Sequence, residues 1–344
     1  MQELTERQKL LMTLIIHEHT RTAQPIGSKT LVEQFGLQMS SATIRNEMTA
    51  MTDNGYLRQP HTSAGRVPTE EGYRFFVSNL MQQSTLPATT RNTISHQFFQ
   101  VRQGLDQWLH LAASVLASQS QAASIVTAPH TDKVALKHLE LIATRATQVL
   151  MVLVLVGGEI RQQILSLDET ASQERLSKIA AQLNDQCQNC SLEQLERLHL
   201  QLDPLGEKVL NLIKDEMQRS EKLVTGEVYL DGLTNVLAEP EFAESEQARS
   251  PLRLLEERTM LDDLLSRPII GNEVGGVQVL IGGEGTFEEL RQCSLILTRY
   301  GVPDQLTGML GVLGPMRMPY GHTISTIRFI AGLLSDLVTE TLVN

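Results

Sequence analysis

The sequence has few cysteines and no long hydrophobic run. Its three cysteines, Cys187, Cys190 and Cys293, are too few for a disulfide framework, and their odd number would leave one unpaired. This low cysteine content fits a reducing compartment. The longest apolar run, residues 149–156, is eight residues long, whereas a membrane-spanning helix needs about 20. The first residues also lack the apolar stretch of a signal peptide. These absences predict a cytoplasmic protein without a membrane partner.

Charge is distributed unevenly along the chain. The 344 residues carry 29 Lys and Arg against 40 Asp and Glu, for a formal net charge of −11. Residues 1–80 hold eight of each sign, so the whole excess of acid lies downstream. The length predicts two or three domains, and a composition of 41% hydrophobic and 20% charged residues is typical of folded, water-soluble chains. A neutral N-terminal segment can approach nucleic acid only if the acidic remainder is held away from it.

Three helices are predicted near the N-terminus from apolar residues at helical spacing. Thr5 is placed to cap the first, and Gly36 to end the second. They are expected at residues 5–20, at Ser28–Phe35, and from Ser40 or Ser41 to about Asn54. Two helices joined by a tight turn predict a helix-turn-helix unit.

The outward face of the third helix carries short polar groups and one arginine. Its candidate base-reading residues are Ser41, Ala42, Thr43, Arg45, Asn46 and Thr49. Arg45 and Asn46 are the strongest candidates, because Arg can make paired hydrogen bonds to guanine and Asn to adenine in the major groove. The alternative interpretation is an ordinary solvated helix face.

Two short extended pieces follow, at residues 56–59 and 66–68, and they flank a small-residue loop that contains Gly65. This pattern predicts a β-hairpin wing. The candidate phosphate-contacting residues that project from it are His61, Thr62, Ser63 and Arg66. The alternative is a surface hairpin without a role in binding. A further helix is predicted at residues 69–83, which closes a domain of residues 1–83.

Patterns in the remainder predict an α+β multidomain protein. Residues 84–104 are interpreted as a linker, and a helix begins at Leu105. Polar helices occupy residues 169–224, and a last amphipathic helix occupies residues 323–342. Strands are predicted at residues 136–141, 148–156, 159–167, 277–281, 294–300 and 309–313. We therefore expect a domain with a mixed sheet, residues 105–167 and 226–344, interrupted by a helical subdomain, residues 168–225.

Three N-terminal runs resemble the heat-inducible transcription repressor family HrcA. They are PIGS at residues 25–28, SATIRN at residues 41–46, and QPHTSAGRVPT at residues 59–69 followed by GYR. Shorter runs near residues 226–242, 281–284 and 311–318 extend the resemblance, whereas residues 84–135 and 168–225 match only weakly. One departure is Gly285, where the family usually has Asn.

The resemblance implies a GAF-like central domain and an inserted dimerisation subdomain. It also implies a homodimer that binds double-stranded DNA at the inverted repeat called CIRCE, upstream of chaperone operons. A chaperonin would keep this repressor active, and heat stress would release it from DNA. No cofactor and no enzymatic activity are expected.

Other patterns leave two alternatives open. The GAF-like domain could bind a small-molecule effector instead. The spacing of Cys187 and Cys190 fits a redox or metal switch, although His199 would complete only three of the four ligands that structural zinc needs. His17, Glu18 and His19 lack the spacing of a zinc protease helix and are interpreted as a polar helix face.

Overall fold

The computed structural model describes three groups of elements, which we name the N-terminal unit (residues 4–81), the body (residues 85–130 and 227–343) and the inserted unit (residues 134–222). Within these groups, the described residues are 4–81, 85–101, 104–130, 134–145, 147–156, 160–167, 169–198, 200–222, 227–243, 253, 255, 257–265, 274–282, 290–303 and 305–343.

The N-terminal unit packs helices against a small hairpin, and the predicted helices are confirmed to within one or two residues. Thr5 and Gln8 form a capping box at the start of the first helix, and the Ser40 hydroxyl caps the third. Gly36 ends the second helix at φ 58°, a conformation that glycine adopts without strain. The elements are α1 Glu6–Thr22, α2 Ser28–Phe35, α3 Ser41–Asp53, β1 Leu57–Arg58, β2 Val67–Pro68 and α4 Glu70–Phe75.

The end of the N-terminal unit differs from the sequence-based expectation. The helix predicted at residues 69–83 is instead α4 followed by a π-helical turn, Phe76–Leu80, and residues 82–84 lie outside the described part of the chain. The segment predicted as a linker, residues 84–104, contains the helix α5, Ala88–Gln100. Burial of Ile94 and Phe98 holds this helix against the body, so the linker interpretation is wrong for most of its length.

The body is built on a five-stranded sheet in the order β7-β3-β10-β9-β8. Among the described residues, these five strands pair only in antiparallel fashion, and the one parallel contact is an isolated bridge between Val274 and Arg299. The expected mixture of parallel and antiparallel strands is therefore wrong for this part of the chain. The strand β8 has the predicted bounds, but β3 and β7 were not predicted. The elements of the body, besides α5, are α6 Leu105–Ser120, β3 Ala123–Thr127, β7 Val228–Asp231, α10 Leu233–Ala238, α11 Pro240–Ala243, α12 Arg258–Leu265, β8 Val277–Ile281, β9 Cys293–Val302, β10 Leu306–Pro315 and α13 Tyr320–Val338.

Both faces of this sheet are packed against apolar side chains. Along β9, Ile296 joins a core shared with α6 and α13, whereas Leu295 and Leu297 join a second core with α10 and α12. This alternation follows from the two-residue period of a strand. Gly308 lets the Tyr300 ring lie directly beside the sheet backbone, since a Cβ there would approach that ring to 2.5 Å.

The inserted unit has a sheet and a core of its own. The three-stranded antiparallel sheet β4-β5-β6 packs one face on the helices, and the resulting core includes Leu153, Leu183 and Ile213. These strands therefore pack with the inserted helices rather than with the five-stranded sheet, which moves the start of the insertion from residue 168 to about residue 134. Its elements are β4 Leu136–Arg145, β5 Gln148–Leu155, β6 Ile160–Ser166, α7 Gln173–Cys187, α8 Leu192–Arg197 and α9 Pro204–Lys222.

The N-terminal unit, by contrast, shares one continuous core with the body. The rings of Tyr73 in α4 and Tyr320 in α13 lie 6.1 Å apart, and both residues are buried. The Arg74 guanidinium donates to the backbone oxygen of Ile281 at 2.9 Å. Burial and a hydrogen bond to main chain thus fix α4 on the edge of the five-stranded sheet.

Candidate nucleic-acid interface

The outward face of α3 presents the residues predicted to read bases. Ile44, Met48 and Met51 are buried on the inner face. Ala42, Arg45, Asn46 and Thr49 are exposed on the outer face, and Ser41 and Thr43 are half-buried at its edge. The predicted orientation of the helix is therefore confirmed, while its contact with DNA stays a prediction.

Hydrogen bonds divide these side chains into two groups. The Thr43 hydroxyl lies 2.9 Å from that of Ser40, and the Thr49 hydroxyl donates to the Arg45 backbone oxygen at 3.0 Å. The side chains of Arg45 and Asn46 have no hydrogen-bond partner among the described residues. Arg45 and Asn46 therefore keep their full donor capacity for a base edge.

The hairpin loop is closed by a side chain that the sequence analysis did not identify. The Gln59 amide donates to the backbone oxygens of Thr62 at 2.9 Å and Ala64 at 3.0 Å. This leaves the side chains of His61, Thr62 and Ser63 exposed at the tip. A fixed loop holds those polar groups in place at a lower cost in entropy than a mobile one.

The base of the hairpin is docked on the segment that precedes α2. Ile26 and Arg66 exchange two backbone hydrogen bonds of 2.9 Å. Gly65 makes this approach possible, because a Cβ at that position would lie 2.3 Å from the backbone oxygen of Ile26. The loop and the start of α2 therefore form one connected surface.

Arg66 lies in a different place from the one expected. Instead of projecting from the loop, its half-buried side chain turns back toward α3, and Nε donates to the Thr52 hydroxyl at 3.0 Å. The contact spans 14 residues of sequence and depends on the docked hairpin. Arg66 thus supports the position of the loop against α3, in addition to any contact it makes with phosphate.

A cleft of about 280 Å³ joins the two predicted sets of residues. Its lining includes Arg45 from α3 and Thr62, Ser63 and Arg66 from the hairpin. Gly27 and Ser28 contribute the N-terminal end of α2, which the sequence analysis did not single out as part of the site. Two guanidinium groups, hydroxyls and a helix N-terminus form a surface suited to an anionic, hydrogen-bonding partner.

The interpretation of residues 17–19 as a polar helix face is wrong for two of the three. Glu18 is nearly buried, and its hydrogen bonds from Arg21 lower the pKa of the carboxyl group. The Nδ1 atom of His19 lies 2.7 Å from the Tyr73 hydroxyl oxygen, and burial lowers the pKa of its imidazole to about 4. His19 is therefore neutral at pH 7 and belongs to the contact between the N-terminal unit and the body.

Other candidate chemistry receives little support. Burial raises the pKa of Cys187 to about 11, so its thiol stays protonated at neutral pH, while Cys190 is half-buried and His199 lies outside the described residues. Within the described ranges, no group of three or more His, Cys, Asp or Glu side chains could hold a metal ion. No helix among the described residues is both long and apolar enough to cross a membrane.

Comparison with known proteins places the chain in a family. The family model "HrcA protein C terminal domain" matches residues 106–324. The heat-inducible transcription repressor HrcA of Roseiflexus castenholzii is 44% identical over 346 residues, covering 98% of this chain and 95% of the relative. The HrcA protein of Herpetosiphon aurantiacus is 43% identical over 345 residues, covering 98% and 96%. A relative from Dehalococcoides mccartyi with the same name is 34% identical over 337 residues, with the same two coverages.

A solved structure shares the fold. A crystal structure described only as that of a hypothetical protein covers 98% of this chain and 100% of its own, with a TM-score of 0.60 and 21% identity. The named relatives show the class of the protein: the chain is a transcription repressor. More narrowly, it belongs to the heat-inducible transcription repressor family HrcA.

Proposed function

We propose that this chain is a dimeric repressor of chaperone operons that reads an inverted-repeat operator with a winged helix-turn-helix unit. The observation that carries the proposal is the cleft in which Arg45 of α3 meets Thr62, Ser63 and Arg66 of the hairpin. In this unit α3 is the recognition helix and the hairpin is the wing. Such units place the N-terminal part of the recognition helix in the major groove.

Each part of the surface has a separate role in this proposal. Arg45 and Asn46 read base edges, and the smaller Ser41, Ala42, Thr43 and Thr49 permit close approach of the helix to the groove. The exposed tip of the wing, His61 to Ser63, contacts the sugar-phosphate backbone. Arg66 contacts phosphate while its bond to Thr52 keeps the wing against the helix.

The dimer is proposed to form through the inserted unit. One face of its sheet is covered by helices, but the other exposes Ile142, Ile160 and Ile164 at 41%, 59% and 63%. Ile142 and Ile164 both pair with Leu150, so they form one apolar row across the three strands. A contiguous exposed apolar surface marks a protein contact, and a second copy gives the two-fold symmetry that an inverted repeat requires.

The family resemblance supplies the finer parts of the proposal. The operator is the CIRCE repeat, the body is a GAF-like domain, and a chaperonin maintains the DNA-binding form in the cytoplasm. Heat diverts the chaperonin to unfolded clients, and the free repressor then loses activity. The acidic excess downstream of residue 80 lies away from the DNA in this arrangement.

Fluorescence-anisotropy titrations test the reading of DNA. The wild-type chain should bind a labelled CIRCE repeat much more tightly than a repeat with one half-site scrambled. Arg45→Ala should cost about 1–3 kcal/mol and relax sequence choice, whereas Arg66→Ala should weaken binding to all sequences and flatten its salt dependence. Equal binding of both DNAs by the wild type would contradict the proposal, and exchanged phenotypes would show that the two arginine roles are reversed.

Sedimentation of Ile164→Glu tests the dimer surface. A charge in the apolar row should give a folded monomer, and operator affinity should fall on the order of 100-fold because the two readers no longer bind together. The matched control is Ala181→Glu, which places the same charge on the exposed face of α7. A dimeric Ile164→Glu variant would assign the contact to another surface.

Heating tests the regulation. The repressor is held at a stress temperature with and without chaperonin, cooled, and titrated with the operator. Chaperonin should restore or preserve operator binding. If operator affinity is the same in both samples before and after heating, the regulatory part of the proposal is wrong, while DNA reading stands.

A further inference from the structure

A buried arginine of the body holds the first helix of the N-terminal unit. Arg317 lies between β10 and α13, and its side chain is only 12% exposed. Its Nε donates to Glu241 Oε1 at 2.5 Å, and it also pairs with Glu239. A third group of the guanidinium donates to the backbone oxygen of Thr20 at 3.2 Å. One side chain thus connects residues that are 297 positions apart in sequence.

The acceptor of this contact lies at the C-terminal end of α1. Thr20 lies in the last turn of the helix, where backbone oxygens have no partner within the helix. A cation is favoured there because the helix dipole makes this end negative. Glu239 and Glu241, in turn, orient the guanidinium from the body side. The end of α1 is therefore fixed to the body by a geometry that a more flexible cation would not reproduce.

A second attachment prevents rotation about the first. The α4 helix is held by the hydrogen bond from Arg74 to Ile281 and by the contact between Tyr73 and Tyr320. Two attachments on different helices determine an orientation, whereas one would leave a hinge. The recognition helix α3 packs on α1 within the same small unit, so its direction relative to the body follows from these contacts.

We propose that Arg317 is a positioning residue for operator recognition, because it sets the orientation of the N-terminal unit and hence the separation of the two recognition helices in a dimer. This inference rests on the proposed dimeric reading of an inverted repeat. Half-site spacing is a geometric property of such dimers. Arg317 itself does not touch DNA.

The experiment compares full-length Arg317→Gln and Arg317→Lys with the wild type on two kinds of DNA. The first kind is a single half-site. The second is a set of inverted repeats whose spacers differ by one, two or five base pairs. Both variants should bind the single half-site as the wild type does. Their preference for the best spacer should fall about tenfold, within the usual range of coupling between distant sites. Arg328→Gln, an exposed arginine on α13, is the matched control and should keep the wild-type preference.

A distance measurement separates this inference from the function on which it rests. Spin labels at Asp53→Cys on α3 and Gln305→Cys on the body, in a Cys190→Ser background diluted with unlabelled chain, report the orientation within one protomer. Arg317→Gln and Glu241→Gln should each broaden the distance distribution, and Arg328→Gln should not.

Two outcomes overturn the inference. A wild-type spacer preference in a folded Arg317→Gln chain refutes it, and so does an unchanged label distance in both Arg317→Gln and Glu241→Gln. If the wild type does not distinguish an inverted repeat from a half-site, the proposed function fails instead, and the label distances still decide the role of Arg317. If Arg317→Gln does not fold, Glu241→Gln and Arg317→Lys carry both measurements.

Discussion

The N-terminal unit and the inserted unit are joined to the body in different ways. The core of the N-terminal unit continues into α6 and α13, and Arg317 adds a buried charge between them. Among the described residues, the core of the inserted unit draws only on residues 134–217. The proposed DNA reader therefore depends on the body for its stability and orientation, whereas the inserted unit can unfold or associate separately.

A pair of arginine substitutions should give the largest contrast between the two. Arg317→Ala removes the cation that pairs with Glu239 and Glu241, whose side chains are 24% and 29% exposed. It should lower the free energy of unfolding by about 3 kcal/mol, the low end of the range for a buried pair. Arg175→Ala in the inserted unit removes an exposed pair with Asp203, whose side chains are 47% and 38% exposed, and should cost less than about 1 kcal/mol. Urea titrations followed by the fluorescence of Trp108 and by far-UV circular dichroism measure both. Equal losses would mean that Arg317 is no more important than a surface ion pair.

A core truncation in each region should separate the two cores. Leu183→Ala should destabilise the inserted unit by about 2–4 kcal/mol. Trp108 is the single tryptophan, and it lies in the shared core, so its fluorescence transition should not move. The control, Leu109→Ala, removes a side chain from the shared core and should shift that transition. Movement of the Trp108 transition in Leu183→Ala would show that the two cores unfold together.

Mild acid should weaken only the junction between the N-terminal unit and the body. The loss of stability should be smaller than that caused by the substitutions above. Burial lowers the pKa of His19 from 6.5 to about 4, so the folded chain binds fewer protons there than the unfolded chain. The stability that depends on neutral His19 is complete above pH 6.5 and is lost as the pH falls toward 4. The pKa values of Glu18 and Asp203 are also lowered, but from 4.5 and 3.8, so their effects begin at more acidic pH.

The urea concentration at the midpoint of the Trp108 fluorescence transition should therefore be lower at pH 4.5 than at pH 7. His19→Gln should reduce that difference. A glutamine keeps a polar group near the Tyr73 hydroxyl without a proton to gain. An equal shift in the variant would assign the pH dependence to another group.

Local sequence signals predicted the elements of the N-terminal unit well. The α2 helix has its predicted bounds because Gly36 and the break before Ser28 act locally. The orientation of Arg66 could not be predicted in the same way, since it requires Gly65 to dock the hairpin on Ile26 first. The residues of α3 that face outward followed from helical period, but the contribution of α2 to the cleft did not.

In the rest of the chain, the contacts between segments distant in sequence could not be predicted. Short apolar segments predicted β4 to β6 but not the sheet to which they belong, because local composition does not determine which segments pair. The strand β3 is short and buried at every position, so it has no alternation to detect. Arg317 lay in a run that resembles the family, yet its contact with Thr20 depends on the packing of the whole N-terminal unit.

The docked base of the hairpin has a consequence for variation among related chains. Ile26 and Arg66 are joined by backbone hydrogen bonds. The backbones approach so closely that there is no space for a side chain at position 65. If the hairpin is the proposed wing, length changes between residues 60 and 63 would alter how far it reaches along the DNA backbone without disturbing its base. A change at Gly65 would instead separate the wing from α2, so homologous repressors with different operator reach should differ at the tip and keep glycine at this position.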